Sequence, residues 1–157
     1  MTAADEYRAK ISSELSAISR AMKKSGNPEP LGDPLSGAML VLSQPVGPRA
    51  LEAIRRSLIA ISLEAYVTYS GTNLLARELL LAEPSILAAI GPEAASEIDS
   101  LEHPLATKSF AEATEGAPFA WKKNTAGLLL PPLAPALDDK EQKRQFWRAF
   151  LTLRSLQ

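Results

Sequence analysis

The chain has 157 residues, 46% of them hydrophobic, which suffices for one domain (1-157) with its own core and falls short of two. With no cysteine and one histidine it holds no disulfide framework, thiolate zinc site or cysteine-ligated cluster, so no metal or cofactor is expected, and any metal would have to rest on carboxylates. Lys+Arg number 17 against 18 Asp+Glu, a formal charge of -1; without a global basic excess, weak or no nucleic-acid binding is expected unless a local patch supplies it.

No apolar run of about 18 residues and no charged start before an apolar secretion core is visible, which predicts a soluble cytoplasmic protein with no membrane contact. From Asp5 to Lys24, Ile11, Leu15, Ile18 and Met22 draw one apolar stripe at helical spacing. Around it lie Arg8, Lys10, Arg20, Lys23 and Lys24, read as the solvated face of a docking helix, with a phosphate-contacting patch as the alternative. Residues 25-37, with Gly26, Pro28, Pro30, Gly32 and Pro34, form an extended connector. Residues 38-157 then carry the sheet core and a C-terminal helix.

Ala38-Met39-Leu40-Val41-Leu42 is the first predicted strand, followed by a helix opened by Pro48 with Leu51, Ile54, Leu58 and Ile61 on one face. Ala65-Tyr66-Val67-Thr68-Tyr69 is the second, and Ser70-Gly71-Thr72-Asn73 turns it into a helix through Leu74, Leu75, Leu79 and Leu81. Pro84 to Ile98 centres the chain: a short apolar run is stopped by Gly91 and restarted by Pro92 as a helix. Strand and helix have then alternated three times, the pattern of a mainly parallel sheet with helices on both faces, here a three-layer α/β/α fold with four strands. Further on, a short strand is expected near Ala106 to Phe110. Phe119-Ala120-Trp121 and Leu128-Leu129-Leu130 read as a hairpin, or as a last strand with its lead-in, before Pro131-Pro132 leaves the sheet. The final helix starts at Asp138 or Asp139, each with capping-box spacing.

This order of pieces resembles the uracil-DNA glycosylase superfamily. Gly32-Asp33-Pro34 is similar to the family's approach to strand one, and Ser43-Gln44-Pro45-Val46-Gly47 stands in place of its Gly-Glu-Ala-Pro-Gly. Tyr66-Val67-Thr68-Tyr69 resembles its Tyr-Ile-Thr-Asn strand, and Pro84 through Ala95 resembles its Pro-Lys-Val-Ile-x-Ala-Leu-Gly-x-x-Ala-Ala segment. Leu130-Pro131-Pro132 stands where the family has His-Pro-Ser, followed by Lys143-Arg144-Gln145-Phe146-Trp147 in a Lys-Arg helix bearing a tryptophan. The resemblance implies a cleft at the strand ends formed by Ser43, Gln44, Tyr69, Asn73 and Leu130. It also implies lost chemistry. Excising uracil takes a group to steer water, an amide to read the base and a donor for the departing base. Those places hold Gln44, which does not titrate, Tyr69, and Leu130, which cannot donate a hydrogen bond, so no catalytic residue is assigned.

His103 precedes a proline but falls before the last strand and reads as a surface-loop histidine. Gln44 either caps a turn or meets a ligand; Tyr69 and Trp121 either fill the core or stack a base. Glu78, Glu83 and Glu93 show no spacing that calls for a paired role. Gly91-Pro92 removes an amide that a phosphate loop would use.

The reading is a non-catalytic binding or scaffold component in DNA replication or repair, with replisome or repair proteins as partners. A narrower version is similarity to the psi-subunit family of the bacterial replicative clamp loader, which shares the Pro-rich exit and the Lys/Arg helix with a tryptophan. The alternatives are a glycosylase or other hydrolase with altered chemistry at the same cleft, and an interaction module unrelated to DNA.

Overall fold

The apolar runs become strands because each is short, built of aliphatic, β-branched or aromatic residues, and closed by turn residues. The structure, a computed structural model, describes residues 2–157. Five strands, β1 (Ala38–Leu42), β2 (Tyr66–Tyr69), β3 (Ile86–Ile90), β4 (Phe119–Lys122) and β5 (Thr125–Leu130), form one sheet in the order β2-β1-β3-β5-β4. The first four in that order run parallel and β4 pairs antiparallel with β5.

The expected count of four strands is therefore corrected to five. Lys123 and Asn124 make a two-residue turn, with Asn124 at φ 69°, so the Phe119 arm folds back on β5 and becomes an edge strand of its own. The strand expected near Ala106 to Phe110 is absent. The Asp99 carboxylate accepts from the backbone N–H of Phe110 (2.7 Å) and Ala111 (3.0 Å), donors that a strand would spend on a ladder. Phe110–Glu112 is a 3₁₀ turn instead, with the Phe110 ring fully buried.

Helices α1 (Ala3–Lys24), α2 (Pro48–Ala60), α3 (Leu75–Ala82) and α4 (Pro92–Ser100) precede the hairpin, and α5 (Leu133–Ala136), α6 (Lys140–Phe150) and α7 (Thr152–Ser155) follow it. α1 begins two residues before Asp5 because Thr2 caps it: the Thr2 hydroxyl accepts from Asp5 N–H (3.1 Å), and the Asp5 carboxylate accepts from Thr2 N–H (3.1 Å). At α6 the cap is Asp139, which accepts from Glu141 N–H and Gln142 N–H. Asp138 instead pairs with Arg49 at 3.1 Å.

β2 and β3 lie on opposite sides of β1, so the right-handed crossover rule sends α2 and α3 to opposite faces. Leu40, Leu42, Tyr69, Ala88 and Leu130 face α2 and α6, while Met39, Val41, Leu87 and Ala89 face α3 and α4. The stripe Ile11, Leu15, Ile18 and Met22 of α1 is buried against Leu35, Leu74 and Leu81, outside α3. Each such side chain withdrawn from water contributes roughly 1.5–3 kcal/mol before entropy is counted, enough to hold α1 in place. The connector is pinned as well: Leu31 forms an antiparallel bridge with Val67, covering part of the β2 edge. Among the described residues no helix is long and apolar enough to cross a membrane.

Candidate functional site

Open parallel sheets gather ligands beyond the carboxyl ends of their strands, where the strand order reverses. Here that point lies between β1 and β3, and a cleft of about 230 Å³ opens there, lined by Leu42, Ser43, Gln44, Ile90, Glu93 and Leu133 among others. This is below the roughly 300–1,000 Å³ usual for a small-molecule site.

Two of the five sequence-predicted residues line this cleft. Ser43 and Gln44 do; Tyr69, Asn73 and Leu130 do not. The register pairs Tyr69 with Leu42, Leu42 with Ile90 and Ile90 with Leu130, so Tyr69 and Leu130 stand in one row across the sheet. Three strand spacings separate them, about 14 Å. Both are buried in the core under α2 and α6, Tyr69 at 0% and Leu130 at 1% exposure. The Tyr69 hydroxyl donates to Glu29 C=O (2.9 Å), fastening the connector, and burial pushes its pKa up to about 12. Asn73 is an exposed turn residue at φ 64° ahead of α3.

Ser43 and Gln44 are committed to the fold. The Ser43 hydroxyl donates to Ile90 C=O (2.8 Å) and accepts from Ala94 N–H (2.9 Å), acting as cap for α4 in place of Gly91, which has no side chain. The Gln44 amide donates to Ser70 C=O (2.6 Å) and to Asn27 Oδ1 (3.3 Å), and Gln44 N–H donates to Ser70 Oγ (3.1 Å). Of the two readings left open by the sequence, the turn-capping one describes these bonds. Trp121, likewise, is a core side chain at 2% exposure.

Glu93 is the one ionisable side chain lining the cleft. A lone carboxylate offers no acid–base pair. The start of α4 offers little to an anion either: Pro92 has no N–H and Ala94 N–H is held by Ser43. His103 sits at the other end of the sheet, its ring 5.1 Å from that of Trp121 and its Nδ1 accepting from Leu105 N–H.

Sequence reasoning passed over a buried polar cluster on the α3 face. Glu78 is fully buried, accepts from the Tyr66 hydroxyl at 2.6 Å, and has Thr68 and Glu97 as neighbours. Burial, and secondarily the Glu97 charge, raises the Glu78 carboxyl to about 7. Burial and the Glu78 charge likewise push the Tyr66 phenol upward. Glu97 accepts from Gly71 N–H (2.8 Å) through one oxygen; its other oxygen, Glu78 Oε1 and Thr68 Oγ1 have no partner. The signal lay in the α3 pattern: Glu78 falls between Leu75 and Leu79, on the face that must be buried. Its carboxylate neighbour Glu97 comes from α4, which no local spacing could reveal.

A larger opening lies on the other face. A groove of about 450 Å³ runs between α2 and α6 over α5, with Leu133, Ala136, Phe146 and Trp147 among its lining. Among the described residues no group of three or more His, Cys, Asp or Glu side chains is placed to hold a metal ion. No protein-family model matches the chain, and no curated protein matches it.

Proposed function

We propose that the chain is a non-catalytic protein on a uracil-DNA glycosylase-like framework, serving as a binding or scaffold component in DNA replication or repair. One observation carries this reading: the positions that the resemblance assigns to glycosidic cleavage hold groups already bonded within the fold or unable to bond. The Gln44 amide is spent on Ser70 and Asn27, the Tyr69 hydroxyl on Glu29, and Leu130 is an aliphatic core residue. Losing one donor to a developing charge costs about 2.7–4 kcal/mol of transition-state stabilisation, and three roles are altered together. A mostly parallel sheet with helices on both faces supports the framework half of the reading.

The psi-like version draws support from the way the chain leaves β5. Pro131-Pro132 turns it into α5, and α6 then presents Lys140, Lys143, Arg144 and the part-exposed Trp147. Such a protein acts through exposed patches on its helices and sheet edges. Affinity capture with the tagged chain, combined with a uracil-release assay, tests both halves. Recovery of clamp-loader or repair subunits without uracil release is the expected result; release of uracil contradicts the proposal.

A further inference from the structure

The groove between α2 and α6 is lined by three cations, Lys140, Lys143 and Arg144, and by no carboxylate. That is a local concentration, since the whole chain has a formal charge of -1. Of the nearby acids, Asp138 pairs with Arg49 (3.1 Å), Asp139 accepts the Glu141 and Gln142 N–H groups as the α6 cap, and Glu141 sits 3.8 Å from Arg144, which leaves two of the three rim cations uncommitted. Lys140 and Lys143 make no ion pair among the described residues.

Spacings of three and four put Lys140, Lys143, Arg144 and Trp147 on one exposed stripe of α6, beside the buried stripe of Phe146, Ala149 and Phe150. The Trp147 ring stacks on Phe150 (5.9 Å) and is still 36% exposed, so the apolar lining continues to the surface. Arg49 also donates to Leu137 C=O (3.4 Å), tying the start of α2 to the link between α5 and α6 beside the groove.

We propose that this groove docks an acidic, amphipathic helix of another protein, its apolar side chains over Leu133, Ala136, Phe146 and Trp147 and its carboxylates facing Lys140, Lys143 and Arg144. The inference deepens the scaffold reading and rests on it. Helical walls offer no free backbone ladder, so the occupant must satisfy its own backbone, as a helix does. An apolar floor with a cationic rim selects apolar anchors flanked by negative charge. A second copy of this chain docked through the same face would set cationic rim against cationic rim. A nucleic-acid backbone would satisfy the rim and leave the floor uncovered.

The test uses fluorescein-labelled synthetic peptides of about three helical turns with Leu and Phe at positions i, i+3, i+4 and i+7: one with Glu and Asp elsewhere, one with Lys in their place, and one of scrambled order. Anisotropy gives affinities, and ¹⁵N spectra follow the indole signals of Trp147, in the groove, and Trp121, in the core at 2% exposure. The acidic peptide should bind at least about tenfold tighter than either control, shift the Trp147 indole alone, and weaken about tenfold or more with exposed-site variants K143E and R144E combined.

Equal binding of the Lys or scrambled peptide, or no effect of the paired variants, overturns the inference. So does exclusive binding of an oligothymidylate, or concentration-dependent self-association that buries Trp147. Uracil release by the same sample would overturn the scaffold reading whatever the peptides do, whereas peptide failure without uracil release overturns the groove alone.

Discussion

Ser43 and Gly91, from neighbouring strand ends, are made for one another. Ser43 Oγ occupies the space where a side chain at Gly91 would begin, 2.6 Å from the ideal Cβ position, and from there it caps α4 through Ala94 N–H. Gly91 also has a φ of 94°, which side chains disfavour. The helix that would otherwise lack a capping side chain thus borrows one from another strand, and the strand-end serine is consumed in doing so.

Ser43→Ala should destabilise the protein by about 1–2 kcal/mol through loss of the cap. Gly91→Ala should cost more, since it adds both strain and a clash. In the double variant the nearest contact becomes Ser43 Cβ at 3.1 Å, tight but no longer forbidden. Urea unfolding should therefore give a combined loss smaller than the sum of the two by about 1 kcal/mol; simple additivity would show that the two sites are independent.

Glu78 predicts a pH dependence. Its carboxyl rises from 4.5 to about 7 on folding, first because it is buried and then because of the Glu97 charge. Between these values the unfolded chain gives up a proton that the folded chain keeps, so stability is fullest below about pH 4.5, falls as pH rises, and levels off above about pH 7. The loss is about 3 kcal/mol. Glu52, drawn down to about 2 by Arg55 and then Arg56, acts in the opposite sense but below this window. Glu78→Gln should flatten the urea midpoint between about pH 5 and 8 and raise it at pH 8, because the amide keeps an acceptor for Tyr66 and gains a donor for Thr68. An unchanged slope in the variant would remove Glu78 as its source.

The strands that face helices on both sides were legible because burial on two faces leaves an unbroken apolar run: β1, β3 and the helices after them lie where the pattern puts them. The hairpin was half legible, since Phe119 and Leu128 carry apolar weight but only the Lys123-Asn124 turn decides that their two strands pair, with Phe119 opposite Gly127. What escaped were effects between distant residues. Nothing local to Phe110 or Ala111 announces that Asp99 will take their donors, and nothing near Gly71 announces Glu97. At the strand ends the sequence names residue types correctly and cannot say that Tyr69 and Leu130 point into the core.

Two glycines of the connector separate space from strain. Gly26 and Gly32 have nearly equal φ, 85° and 83°, but a Cβ at Gly26 meets nothing within 4 Å whereas one at Gly32 would lie 2.0 Å from Ala65 O. Gly26→Ala should cost about 1 kcal/mol, the left-handed penalty alone. Gly32→Ala should cost at least about 2 kcal/mol more and loosen the Leu31–Val67 bridge, seen as faster amide exchange at both residues. Equal losses would mean that the connector yields freely and does not fix the β2 edge.

The proposal of a non-catalytic protein turns on the strand-end groups being bonded within the fold and leaving a glycosidic bond uncleaved. Single-turnover incubation of the protein in excess over uracil-containing single- and double-stranded DNA, with abasic sites scored by strand scission, tests this most directly. The account predicts no more scission than in a protein-free control. Abasic sites that accumulate with protein concentration, and disappear in a Glu93→Gln variant, would show a working cleft and contradict it.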